Sequence, residues 1–474
     1  MNHSIESRTM NRNFTRRRAI QTISSSFGSL ALAAMAGQTR AEQINNPLAA
    51  RKTHFPATAK HVIVLSMDGA PSHVDTFDYK PSLQKNNGKT GASDRGSKLM
   101  ASQWKFNQHG DSGHWISSLF PNLSRQADEL CMLKGMHCDQ PSHRQATQAA
   151  HTGSAQFIRP SLGAWSVYGL GTENSDLPGF VALGKGTGVN FGSAFLPAAY
   201  QATPVNTNVV GGAGSGARGR RGQSSSAESV ANIRNSILDA QAQRTQLDLL
   251  KQLNNAKLKR DVHQPQVEGI TQSFELAYRM QTSMPQLMDL SGESQRTKAM
   301  YGVGEPATDS FGTQCLVARR MVEAGVRFVE LSQGSWDHHS GLKEGMETQC
   351  QLIDKPIAGL LADLKQRDML KDTLIVWGGE FGRTPHVTNG TGRGHNNKGY
   401  TTWMAGGGVK GGFSYGATDE FGYEAIDGRM HTHDWHATIL HLLGLDHEKL
   451  TYRHAGRDFR LTDIGGKVAT DILS

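Results

Sequence analysis

Apolar residues along the chain follow two periods, and their alternation sets the expected fold. His61-Val-Ile-Val-Leu-Ser-Met67 is an unbroken apolar run rich in β-branched residues, which predicts a buried strand ending at Asp68-Gly69. Val326-Arg-Phe-Val-Glu-Leu331 and Thr373-Leu-Ile-Val-Trp377 repeat that form and lead to Trp336-Asp337-His338-His339 and Gly378-Gly379-Glu380. Between them, Cys315 to Ala324, closed by Gly325, and Leu352 to Leu370 space apolar residues three and four apart, as helices do. Such alternation predicts an α/β protein with its sheet covered on both faces. In open sheets of this class ligands bind beyond the carboxyl ends of the strands, so Asp68, Asp337 and Glu380 fall where a site is expected.

Two stretches interrupt the pattern. Residues 205–226 hold a glycine run with three arginines, followed by three serines, and are too polar and flexible to pack; they read as a surface loop. A long polar helical region follows from Ala227 to Met280, interrupted near Pro265, as an excursion from the sheet. Gly406-Gly-Gly408 and Gly411-Gly412 read as a turn between strands.

The first 36 residues obey neither period. Thr15-Arg16-Arg17-Arg18-Ala19-Ile20 is a charged patch, an apolar stretch runs to Ala33, and Ala34-Met35-Ala36 is a small-residue cleavage site, the order of a twin-arginine export signal. The apolar stretch is diluted by Ser24, Ser25, Ser26, Gly28 and Ser29, whereas a membrane span needs roughly 20 apolar residues. The expected organisation is therefore a signal over 1–36, a linker over 37–59 and one domain over 60–474, with the protein delivered to the periplasm or beyond by the twin-arginine machinery. The signal carries five Arg and one Glu, so its removal takes four charges from the formal +8. A mature chain near +4, without a Lys/Arg stripe interleaved with aromatics, gives no case for nucleic acid. The cysteines Cys131, Cys138, Cys315 and Cys350 are too far apart for a CxxC site; in an exported protein they are either disulfide partners or buried thiols.

The chemistry points to a divalent cation. Carboxylates and imidazoles gathered at strand ends suit zinc, manganese or iron better than calcium, and the first candidates are Asp68, Asp337, His339, Glu380 and His395. In extended backbone Asp337 and His339 project to one side, about 7 Å apart, close enough for one ion or two neighbours. Each acid alone could equally be a cap or a turn former. His431-Thr-His433-Asp434-Trp-His436 precedes an apolar helix from Ala437 to Leu443; His433 and His436 are second-tier ligand candidates, and His441 and His447 read as surface residues. Arg383, in the turn Gly378-Gly379-Glu380-Phe-Gly382-Arg383, is a candidate clamp for an anionic ester or a partner for a neighbouring carboxylate. Ser142 beside His143 raises a nucleophile question, although adjacent side chains usually point apart. There is no GxSxG elbow, Walker loop or suitably placed GxGxxG.

Several runs carry a family resemblance: Met67-Asp-Gly-Ala-Pro-Ser-His-Val-Asp-Thr-Phe-Asp78, Arg159-Pro-Ser-Leu-Gly-Ala-Trp165, Tyr168-Gly-Leu-Gly-Thr-Glu-Asn174, Trp377-Gly-Gly-Glu-Phe-Gly-Arg-Thr-Pro385 and His433-Asp-Trp-His-Ala-Thr-Ile-Leu-His-Leu-Leu-Gly444. Over nearly the whole mature chain they resemble the exported bacterial family called domain of unknown function 1501, a sulfatase-like branch of the alkaline phosphatase superfamily. The resemblance implies a three-layer α/β/α sandwich with a central mixed, mostly parallel sheet. It also implies a metal site at the sheet's carboxyl edge, holding zinc, manganese or calcium, and carries the metal acids onto Asp68, Asp337 with His339, and Glu380. The usual Gly-Arg-Asp-His segment is similar to Arg393-Gly394-His395, where glycine stands in place of the Asp. The sulfatase nucleophile pattern Cys-x-Pro-Ser-Arg is displaced in Cys138-Asp-Gln-Pro141-Ser142-His143-Arg144, and the nucleophile position falls nearer His143 than Cys138.

Two functions follow as expectations. One is an exported metal-dependent hydrolase of a phosphate or sulfate ester, in a glycan setting, with Ser142, His143 and Arg383 as catalytic candidates. There, either a side chain or hydroxide carried by the metal attacks. The other is an inactive sulfatase-like module that binds a surface glycan or a partner.

Overall fold

The computed structural model describes residues 48–91, 97–184, 188–207, 237–258 and 265–474, and the side chains of 255–258 and 265–272 are left aside. The export signal, residues 37–47 of the linker and most of the 205–226 loop lie outside the described residues. From Leu48 onward the chain forms one unit.

Its centre is a nine-stranded sheet. In chain order the strands are β1 (His61–Met67), β2 (Leu130–His137), β3 (Phe180–Leu183), β4 (Thr203–Val205), β5 (Phe328–Gln333), β6 (Thr373–Gly378), β9 (Tyr400–Ala405), β10 (Phe413–Tyr415) and β11 (Met430–His431). The numbers β7 (Gly382–Thr388) and β8 (Gly392–Asn396) belong to a separate antiparallel hairpin. The sheet order is β10-β2-β9-β6-β1-β5-β3-β4, with β11 also paired to β2. Every pairing is parallel except the two made by β9, which runs against β2 and β6. This is the mixed, mostly parallel sheet that the family resemblance implies.

All seven residues of β1 are buried, which explains its unbroken apolar run: a central parallel strand has no solvent face. Trp377 on β6 lies opposite Trp403 on β9, and their buried rings stack at 5.9 Å and 4°. The helices that bear on the site are α1 (His143–Thr152), α2 (Leu162–Leu170), α5 (Asp309–Glu323), α6 (Leu342–Gln366) and α7 (Thr432–Leu442). The described part of the polar excursion forms the two helices α3 (Ala240–Leu258) and α4 (Pro265–Met288), and residues 259–264 lie outside the described residues. Helix α5 packs on α6 and against β5 and β1, while α2 packs against β5 and β3. The glycine run after Ala405 makes the turn from β9 to β10. No described helix is long and apolar enough to cross a membrane.

Candidate metal centre

Three neighbouring strands build the site. Strand β1 runs in parallel register between β5 and β6, with Met67 opposite Gln333 and Ser66 opposite Gly378, so all three chains leave the sheet at one edge. Asp68 follows β1 directly, Glu380 follows β6, and Asp337 and His339 lie on the loop after β5. Strand β2 ends at the same edge, and α1 opens there with His143 as its first residue. The hairpin of β7 and β8 closes the group, pairing Arg383 with His395. The turn after β1 must be glycine: Gly69 has φ +105°, and a Cβ there would come within 2.9 Å of the backbone nitrogens of Trp336 and Asp337.

Asp337 Oδ1 is the hub. Arg383 Nη2 lies 2.7 Å from it, His339 Nε2 3.1 Å, His143 Nε2 3.2 Å and His395 Nε2 3.5 Å. One donor atom from each of His143, Asp337, His339 and His395 falls within 4.8 Å of all the others. His339 Nε2 and His395 Nε2 face each other at 2.8 Å. Pro141 O lies 2.7 Å from His395 Nδ1 and can only accept, so Nδ1 carries the proton and the Nε2 lone pair points into the group. His143 Nδ1 donates to Glu380 Oε1 at 2.5 Å, and Gly69 N donates to the same carboxylate at 3.1 Å.

The charges follow from this geometry. Burial disfavours an imidazolium at His143, but the hydrogen bond and charge of Glu380, then of Asp337, outweigh it and raise its pKa. Burial also works against a charged Asp337, yet the Arg383 guanidinium and then His143 hold that carboxyl down at about 2. His395 is lowered by burial and by the positive charges of Arg383, His143 and His339. A neutral imidazole beside an ionised carboxylate is the donor state that a divalent cation requires.

Asp68 and Glu380 stand apart from this group. They line an adjoining pocket of about 50 Å³ together with His151 and Glu330. Asp68 accepts from Ser66 Oγ at 2.9 Å, and burial raises its carboxyl pKa despite the opposing charge of His151. His151, eight residues along α1 from His143, donates from Nε2 to Glu330 Oε1 at 2.6 Å and from Nδ1 to Thr147 O at 2.7 Å. Burial opposes its protonation, and Glu330 overcomes this, lifting the imidazole to about 9.

The structure redirects several sequence expectations. Arg383 is 1% exposed, and its guanidinium is spent on Asp337 and on the carbonyls of Gly69 and Ala70, so it braces Asp337 instead of reaching an ester in the cleft. Ser142 is exposed as the N-cap of α1, its side chain makes no capping bond, and it lies outside the four-residue group. His433 Nε2 and His436 Nε2 lie 2.8 and 2.6 Å from the carbonyls of Gly153 and Ala150, tying α7 to the end of α1 rather than ligating. His447 is buried against Thr462 Oγ1 at 3.0 Å, not on the surface. All four cysteines are buried free thiols.

Sequence reasoning passed over the buried pair of His151 and Glu330, for which the signal was a lone acid inside the apolar run of β5. It also passed over Asp75. That side chain is fully buried, accepts from Ser72 Oγ at 2.5 Å, and takes a two-pronged contact from Arg393 at 2.7 and 3.1 Å. Arg393 is two residues from His395 on β8, so this pair anchors the strand that carries a cluster imidazole.

A family model described as "Protein of unknown function (DUF1501)" matches residues 59–473. No curated protein matches the sequence. Among solved structures, the PsFucS1 sulfatase from Pseudoalteromonas sp. is 14% identical at a TM-score of 0.33, over 82% of this chain and 68% of that one. The lipoteichoic acid synthase LtaP from Listeria monocytogenes is 10% identical at 0.33, over 89% and 80%. The C-terminal periplasmic domain of EcEptC from Escherichia coli, in complex with Zn, is 9% identical at 0.33, over 85% and 88%.

Proposed function

The chain belongs to the DUF1501 family, and from that premise we propose that it is an exported, metal-dependent hydrolase of a phosphate or sulfate ester. One observation carries this reading: the imidazole nitrogens of His339 and His395 and the Asp337 carboxylate, of depressed pKa, converge on a point at the carboxyl edge of the sheet, with His143 beside them. The donor set fits zinc or manganese, since the nitrogens predominate and the carbonyl of Pro141 turns the His395 lone pair inward. Asp337, His339 and His395 would hold the ion, with Asp68 and Glu380 adjoining.

A divalent cation bound there supplies Lewis acidity toward an ester oxygen. The chain's own residues supply the rest. Arg383, dry and fully engaged, fixes Asp337. His143, its Nδ1 held by Glu380, presents a protonated ring at the N-terminus of α1, where it can steady developing negative charge or hand a proton to a departing alkoxide. Glu380 is the positioning residue for His143. Because Ser142 lies outside the group, the nucleophile in this reading is water.

The same fact about Ser142 favours a second reading, a module that keeps the site and binds without turnover. Metal analysis of the purified mature protein, followed by hydrolysis of aryl phosphate and aryl sulfate, separates the two. Copurifying metal with hydrolysis supports the first, and metal without hydrolysis supports the second. No metal, with no stabilisation by added zinc or manganese, removes the centre altogether.

A further inference from the structure

Arg159 opens one of the runs by which the chain resembles its family, and the metal centre gives it no part. It borders a separate cavity of about 210 Å³ at the far end of α1, where residues 153–157 turn away toward α2. None of the four cluster residues lines this cavity, and among the described residues Gln156 is the one it shares with the cleft at the cluster.

The Arg159 guanidinium is held but not spent. Its carbon lies 4.2 Å from the centre of the Phe459 ring and 5.5 Å from that of Phe157, yet its N–H donors have no hydrogen-bond or ion-pair partner among the described residues. Stacking on a ring fixes a guanidinium without using its in-plane donors. The neighbouring charges are already matched. Arg460 faces Glu448 at 3.2 Å and donates from Nε to Asp463 O, and the Asp463 carboxylate is paired with Arg457. Three guanidiniums against two carboxylates leave one positive charge uncompensated, that of Arg159.

The backbone of the turn adds donors. Phe157 N donates to Ser154 Oγ at 3.2 Å, but the N–H groups of Ser154, Ala155 and Gln156, in succession along the cavity lining, have no partner among the described residues. Successive free N–H groups favour an oxygen anion, and a guanidinium fork matches the two oxygens of a carboxylate. A phosphate monoester carries more negative charge than this single guanidinium compensates.

We propose that this cavity binds a singly charged carboxylate on Arg159 and the backbone of residues 154–156. Phe157, 61% exposed, gives an apolar neighbour to the group that carries it. The proposal does not rest on the hydrolase reading.

The test uses the full chain as purified, labelled with 15N-alanine, at low ionic strength. Its probes are benzoate, benzamide as the neutral counterpart and benzenesulfonate as the tetrahedral one. Benzoate is expected to bind and to shift the amide signal of Ala155, which is identified by its loss in Ala155→Ser. Arg159→Gln should weaken benzoate about tenfold or more, the size of a charge-assisted hydrogen bond, and Arg159→Lys should recover part of that loss. Asp337→Ala, which alters the cluster, should leave the affinity unchanged. Melting curves show that each variant folds; if Arg159→Gln does not, the Ala155 shift in the unaltered chain decides alone. No benzoate binding, benzamide binding as tightly, benzenesulfonate binding in its place, or benzoate binding without the Ala155 shift overturns the proposal. So does affinity lost in Asp337→Ala but kept in folded Arg159→Gln. Presence or absence of ester hydrolysis bears on the hydrolase reading alone.

Discussion

Glu380 Oε1 lies 2.5 Å from His143 Nδ1, although 237 residues separate them along the chain. That contact joins the strand carrying an acid to the helix carrying an imidazole, and it raises the pKa of the ring. Glu380→Gln preserves the shape and removes the charge. Aryl phosphate hydrolysis should then fall about 100-fold or more, with an unchanged circular dichroism spectrum. Retention of full turnover would show that His143 needs no anionic partner.

A cation held by Asp337, His339 and His395 must stabilise the folded state by mass action. At a free concentration of about 100 times its Kd, zinc or manganese should add about 2.7 kcal/mol to unfolding. Differential scanning calorimetry of Asp337→Ala and His339→Ala should find that increment gone.

The Asp75 and Arg393 pair has no solvent to fall back on. Arg393→Met leaves a buried carboxylate uncompensated and should cost about 3–5 kcal/mol in urea unfolding. Adding Asp75→Leu to that variant should recover a large part of the loss, because the stranded charge is then absent.

Two buried histidines set opposite limits on pH stability. His151 is raised to about 9, so its contribution is whole below the unfolded value near 6.5 and is lost as pH rises through 9. His436 is pushed down to about 3, by burial first and then by the charge of His433. The unfolded chain therefore binds its proton more readily, and stability falls as pH drops below about 6.5. Melting temperatures from pH 4 to 10 should peak between these limbs. His436→Gln should flatten the acid side, and Glu330→Gln the alkaline side.

Export is tested at the other end of the chain. Replacing Arg16 and Arg17 together by lysine should retain the protein in the cytoplasm, as seen by cell fractionation, while leaving the fold from Leu48 onward intact.

Central parallel strands were the most legible part of the fold, because burial on both faces forces a continuous apolar run in β1, β5 and β6. Their carboxyl ends then pointed to Asp68, Asp337 and Glu380 without knowledge of the tertiary contacts. What stayed hidden depends on partners far away in sequence. Nothing near Arg383 shows that the carbonyls of Gly69 and Ala70 will absorb its guanidinium. Nothing near His433 and His436 shows that α1 will end beside them with carbonyls to offer.

The spread of the cluster along the chain also bears on how the protein is made. His143, Asp337 with His339, and His395 are delivered by three separate segments, and β8, which brings the last of them, comes late in synthesis. Pairing so distant in sequence forms slowly, after nearer contacts are in place. A nascent or truncated chain that stops short of β8 lacks the cluster even where β1 and α1 have formed. Cluster formation is thus a late checkpoint of folding.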